Sequence, residues 1–167
     1  EEDKSRYQTV FNKVSGAVAA PTASLHLDKK LLSDLKEQGI RFTELTLHVG
    51  AGTFIPVSEE DISKHEMHSE NIIISSDALK ALQNRTTIVP MGTTAMRSLE
   101  SLYWYAMQLK SNFDSLFKVE KLSPYINEYT FLSREDALEL LIKKSEEQSG
   151  FLQGSSEIFI VPGYKFQ

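Results

Sequence analysis

The stretch Asn71–Leu82, "NIIISSDALKAL", decides the fold class. Three consecutive isoleucines form a short apolar run suited to a buried strand, and the serines that follow hand the chain to a helix from Ser76 through Leu82. A strand running straight into a helix is the unit of an α/β fold, and it repeats on both sides. Upstream, Asp28 to Gln38 carries Leu31, Leu32 and Leu35 on one helical face, with Asp28 placed to cap the helix and Gly39 to end it. Phe42 to Val49 then alternates as a strand, with Leu45, Leu47 and Val49 on one side and Thr46 and His48 on the other. Downstream, Thr86 to Pro90 is another apolar run read as a strand. A long helix over Thr93 to Leu109 follows, with Met96, Leu99, Leu102, Tyr103 and Ala106 at core spacing.

The alternation predicts a layered α/β/α domain with a largely parallel or mixed sheet. The region after Lys110 changes character. Phe113, Phe117, Tyr125, Tyr129 and Phe131 lead to "SRED" at Ser133–Asp136, a loose capping box opening a helix whose stripe is Leu138, Leu140, Leu141 and Ile142. Residues 111–156 therefore read as a helical excursion, and Glu157 to Val161 as a buried strand returning to the core before Pro162-Gly163. The expected division is 1–16 as a tail and connection, 17–110 as the α/β unit, 111–156 as the insert and 157–167 as the return strand.

Composition sets limits on function. The chain has 167 residues, 41% hydrophobic and 25% charged, no cysteine and a formal net charge of −5. That is enough to bury a core, and it excludes disulfides and thiolate metal ligands. A net negative balance opposes broad polyanion binding, so a nucleic acid would need a basic patch assembled in three dimensions. With no apolar run of about 18 residues and no charged-then-apolar leader, neither a spanning helix nor a signal peptide is expected.

Two constellations carry candidate chemistry. In "LHVGAGTF", Leu47–Phe54, a strand ends on Gly50 and Gly52 beside Thr53, a bare backbone that can nest a phosphate, let a flat ligand rest on the main chain, or turn a tight corner. His48 stands immediately before that turn, where strand ends of α/β sheets present ligand groups. The other histidines are His26 after "PTASL" and His65 and His68 in "HEMHSE", which closes on Glu70. Their spacing is not that of the His-Glu-x-x-His metalloprotease helix, and no metal is expected. In "PMGTTAMRSLES", Pro90–Ser101, a helix starting at Thr93 or Thr94 offers free N–H groups and hydroxyls to an anion, with Arg97 one turn on to clamp it. The plainer alternative has Thr93 capping the helix and Arg97 pairing with Glu100 or Glu44.

The blocks "RYQTVF", "GAVAAPTASLH", "TLHVGAGTFIPV", "HEMHSE", "MGTTAMRSLES" and "IFIVPGYKF", in this order and spacing, resemble the S-adenosylmethionine:tRNA ribosyltransferase-isomerase family of queuosine biosynthesis. The likeness covers most of Arg6 to Glu100 and resumes at Glu157. It implies transfer of the ribosyl group of S-adenosylmethionine to 7-aminomethyl-7-deazaguanine at the tRNA wobble position, giving epoxyqueuosine, adenine and methionine; the lack of cysteine fits a reducing cytoplasm. It also implies an α/β layered domain with a β-barrel insertion, here mostly missing, so that this chain corresponds to a C-terminal-half piece. Family members commonly read "PTAGLHF" where this chain has Ser24 and Leu27, and their closing "TNFHLP" is absent. Under this resemblance His48, His26 and Glu70 are the acid–base candidates, with Glu70 alternatively holding the cationic aminomethyl group. Gly50, Gly52, Thr53, His68, Thr93, Thr94 and Arg97 become candidate substrate contacts. A monomeric full-length protein is expected, with an inactive, self-associating fragment. Two other readings remain: a nucleotide- or RNA-binding module without chemistry, and a metal-dependent hydrolase using His26, His48 and His68.

Overall fold

A computed structural model describes residues 10–11, 22–48, 67–126 and 131–167. Four helices and four strands alternate through them: α1 (Lys29–Glu37), β1 (Thr46–His48), β2 (Glu70–Ser75), α2 (Ser76–Leu82), α3 (Thr93–Ser111), β3 (Lys118–Val119), α4 (Arg134–Glu147) and β4 (Phe151–Ser156). Short 3-10 turns lie at Thr22–Ser24 and Ser123–Tyr125.

Local chemistry explains the helix starts. The Asp28 carboxylate accepts from the Leu31 N–H at 2.7 Å, and Ser75 Oγ accepts from the Ala78 N–H at 3.1 Å. Ser133 Oγ accepts from the Asp136 N–H at 3.0 Å and donates to the Asp136 carboxylate at 2.7 Å, so the loose capping box closes on itself. Each such cap contributes about 1 kcal/mol by satisfying an orphan donor. Helix α1 ends as expected, with Gly39 at a positive φ of 85°.

The sheet order is β1-β2-β4-β3. Strand β2 runs antiparallel to both neighbours, and β3 runs parallel to β4, so β1, β3 and β4 point one way and β2 alone opposes them. The result is an α/β domain with a mixed, open sheet, which realises the mixed alternative of the expected architecture. On β2 the buried residues are Glu70, Ile72 and Ile74, the strict alternation of a strand with one covered face. Helices α2, α3 and α4 supply the cover. Their Leu79, Leu102, Met107, Leu109 and Leu141 join Ile72, Ile74, Val119 and Leu152 in one buried cluster. Helix α3 is buried nearly all round from Glu100 to Met107, which makes it an interior helix.

Two expected strands are absent. Thr86–Pro90 pairs with nothing as a strand, and Val89 is 83% exposed. Its apolar run has no neighbouring strand among the described residues, and Pro90 has no N–H to give a ladder. Glu157–Val161 is not a strand either; the ladder lies just before it, in the polar "FLQGSS" of β4. The extended backbone nevertheless continues on one side, where the Ser155, Glu157 and Phe159 N–H groups donate to the carbonyls of Phe117, Val119 and Lys121. Its other side is taken up by side chains, since β2 starts only at Glu70, opposite Ser156. Strand β4, placed by sequence within an excursion, sits inside the sheet. It admits glycine at 154 for a packing reason: a Cβ there would lie 2.2 Å from the Phe117 ring, which stacks on Tyr105 with centroids 4.5 Å apart.

Candidate active site

The C-terminal ends of β1 and β4 and the start of β2 meet at one end of the sheet, and side chains replace the backbone ladder there. Arg97, on the second turn of α3, donates through Nη1 to Glu70 Oε1 at 3.1 Å and through Nε to the Ile158 carbonyl at 3.1 Å. The Glu70 side chain is 4% exposed and that of Arg97 18% exposed. The third guanidinium nitrogen, Nη2, is buried with no hydrogen-bond partner among the described residues. Burial raises the Glu70 carboxyl above its usual range, opposed by the charge and hydrogen bond of Arg97.

A hydroxyl pair ties this arrangement to the helix. Ser101 Oγ donates to the Arg97 carbonyl at 2.7 Å and lies 2.6 Å from Ser156 Oγ, which accepts from the Ile158 N–H at 3.1 Å. Thus α3 and the exit of β4 share a small, nearly dry polar network. Ser101 and Ser156 were not among the sequence candidates; a serine one turn after Arg97 was the only local signal.

At the start of α3, Gly92 is the N-cap with φ 90° and ψ 157°, a conformation open essentially to glycine alone, and no side chain caps the helix. Thr93 is therefore the first helical residue and exposed, not the cap that the plainer alternative assigned to it, while Thr94 is half-buried. A Cβ at Gly92 would meet the Ala23 Cβ at 3.0 Å, so the Thr22–Ser24 turn packs directly on the start of α3. Two blocks far apart in sequence become neighbours. The partner of Arg97 is Glu70, and Glu100 instead accepts from the Tyr164 hydroxyl and from the Gln167 N–H.

The remaining candidates are placed as follows. His48, half-buried, closes β1 opposite Asn71. Antiparallel partners share a face, so His48 lies on the sheet face opposite to Glu70 and flanks the same sheet end from the other side. His26 is exposed beyond the turn at Thr22–Ser24, and His68 is exposed two residues before β2. Gly50, Gly52, Thr53 and His65 lie outside the described residues. Among the described residues no group of three His, Asp or Glu side chains is placed to hold a metal ion, so His26, His48 and His68 are not gathered into one. No helix among them is long and apolar enough to cross a membrane.

A family model described as "Queuosine biosynthesis protein" matches residues 1–167. The chain is 53% identical over 107 residues to the S-adenosylmethionine:tRNA ribosyltransferase-isomerase of Ruegeria sp. (strain TM1040), and 53% identical over 105 residues to that of Roseobacter denitrificans (strain ATCC 33942 / OCh 114). Each alignment covers 60% of this chain and 30% of the relative. The aligned part thus spans about a third of the length of these curated relatives. No solved structure matches. With the family model matched from end to end, this chain belongs to the queuosine biosynthesis protein family.

Proposed function

We propose that the polypeptide containing this chain acts in the cytoplasm as a tRNA-modifying transferase-isomerase. It moves the ribosyl group of S-adenosylmethionine to 7-aminomethyl-7-deazaguanine in tRNA and rearranges it to epoxyqueuosine, releasing adenine and methionine. Family membership, with relatives named for that activity, is the observation that carries the reading. The geometry supports it, because Ala23 packs on the start of α3, Arg97 one turn on pairs with Glu70, and His48 closes the neighbouring strand at the same sheet end.

The chemistry asks for a base and for anion contacts. A sulfonium acidifies the hydrogens on the adjacent ribose C5′, so a base of modest strength removes one as a proton and leaves the electron pair on carbon beside sulfur. His48, at the end of β1, is assigned that proton, with His26 as the second acid–base candidate. Gly50, Gly52 and Thr53 offer backbone to a flat ring, and His68 a further polar contact. Thr93, Thr94 and Arg97 take a carboxylate or phosphate oxygen. A ligand lying across the sheet end meets both flanks.

The test is His48→Ala in the intact polypeptide, with adenine release from S-adenosylmethionine followed in the presence of unmodified-wobble tRNA substrate. Loss of a positioned base lowers turnover by about a hundredfold or more with the fold retained. Wild-type turnover in that variant removes His48 from the mechanism.

A further inference from the structure

Arg97 is held more completely than an arginine that only closes a helix surface. Its guanidinium is fixed at Nη1 by Glu70 and at Nε by the Ile158 carbonyl, and its own carbonyl accepts from Ser101, which is locked to Ser156. All of these contacts come from α3, β2 and the exit of β4. Together they leave one strong donor, Nη2, buried and without a hydrogen-bond partner among the described residues. A buried guanidinium nitrogen without a partner costs free energy, and a charge-assisted bond to an anionic oxygen recovers it.

Glu70 is poorly suited to collecting a proton from a substrate. Its Oε1 already accepts from Arg97 and almost none of its side chain reaches solvent. What the carboxylate does in this geometry is set the plane of the guanidinium. The fork of an arginine is planar, so fixing Nη1 and Nε fixes the direction of Nη2 as well.

We propose that Glu70 is a positioning residue, which orients Arg97 so that Nη2 receives an anionic oxygen of the substrate. This deepens the functional reading above and rests on it. The ligand chemistry is a carboxylate or phosphate oxygen, from the methionine portion of S-adenosylmethionine or from the tRNA backbone. Ser101 on α3 and Ser156 at the end of β4 tie the Arg97 backbone to the sheet.

The experiment has two arms. In the intact polypeptide, Glu70→Gln, Glu70→Asp, Arg97→Lys and the Glu70→Gln/Arg97→Lys double variant are compared for kcat, for KM toward each substrate, and for the pH dependence of kcat/KM. Positioning predicts roughly a tenfold rise in one KM for Glu70→Gln, with a smaller fall in kcat. It also predicts an unchanged acidic limb of the pH profile, partial rescue by Glu70→Asp, and a double variant no worse than Arg97→Lys alone. The substrate whose KM rises identifies the source of the anion. A collapse of kcat at constant KM with loss of the acidic limb makes Glu70 the base and overturns the proposal, as does full additivity in the double variant.

The second arm needs no turnover. The Arg97 Nε–H signal of the intact polypeptide is followed by nitrogen-15 NMR while inorganic phosphate or acetate is added. A sharp, slowly exchanging signal that shifts with the anion, and that broadens and loses its response in Glu70→Gln, supports the proposal. An unresponsive signal, or the same response in both proteins, overturns it. If the intact wild-type protein releases no adenine, the functional reading fails and this arm alone decides the role of Glu70.

Discussion

Glu70 and Glu100 are both buried carboxylates that contact α3, and their surroundings differ in kind. Glu70, at the start of β2, is met by a cation, Arg97. Glu100, on α3 itself, is met by neutral donors: the Tyr164 hydroxyl, which in turn accepts from Trp104 Nε1 at 2.9 Å, and the Gln167 N–H at 3.2 Å. Burial raises both carboxyls, opposed at Glu70 by a charge and at Glu100 by hydrogen bonds alone. Burial, and then the hydrogen bond to Glu100, push the Tyr164 hydroxyl well above its ordinary range. A charged partner makes a site that can be stranded by one deletion, whereas neutral donors make one that degrades gradually.

That contrast sets the order of the expected effects. Replacing Arg97 with Met leaves Glu70 buried without its cation, and unfolding by urea is expected to register a loss of about 3–5 kcal/mol. A loss under 1 kcal/mol would place the Glu70 pair with ordinary surface ion pairs and erase the distinction. Tyr164→Phe removes one neutral donor from Glu100 and is expected to cost about 1.5–3 kcal/mol, because the carboxylate keeps the Gln167 N–H. An effect as large as that of Arg97→Met would show that the hydroxyl matters to Glu100 as much as a full charge matters to Glu70.

The smallest effect is in pH dependence. A carboxyl raised in the folded state binds its proton more tightly there than in the unfolded chain. Its stabilising contribution is therefore complete below the usual value of 4.5 and is lost as pH rises through the raised folded value. Thermal melts from acid toward neutrality are expected to show this decline, and Glu100→Gln to flatten it while leaving the share from Glu70. A decline unchanged in Glu100→Gln would assign it to other groups.

The same contrast explains what could be read from the sequence. Helices α1, α2, α3 and α4 were legible because their signals are local: Asp28 and Ser133 reach backbone only three residues away, and leucines recur at helical spacing. The strands were half legible. "NIIIS" announces itself by composition, but "FLQGSS" does not, since pairing with β2 and the Phe117 ring over Gly154 decide its place. The site followed suit. Glu70 and Arg97 stood out individually as polar residues beside glycine and histidine motifs. Their union is a tertiary contact that no short-range pattern encodes, and the tie through Ser101 and Ser156 is equally nonlocal.

Among the four described strands β4 comes last along the chain and yet lies between β2 and β3. During translation, β2 and its isoleucines emerge long before the strand that covers one of their edges, and α2 and α3 have only part of their final surface to pack against. The sheet cannot close until residue 156 is available, since Glu70 and Ser156 are direct partners. The β2–β4 pairing is thus a contact of long sequence separation, the class whose loop-closure cost comes before its reward, and until it forms one edge of β2 has no partner strand from this part of the chain.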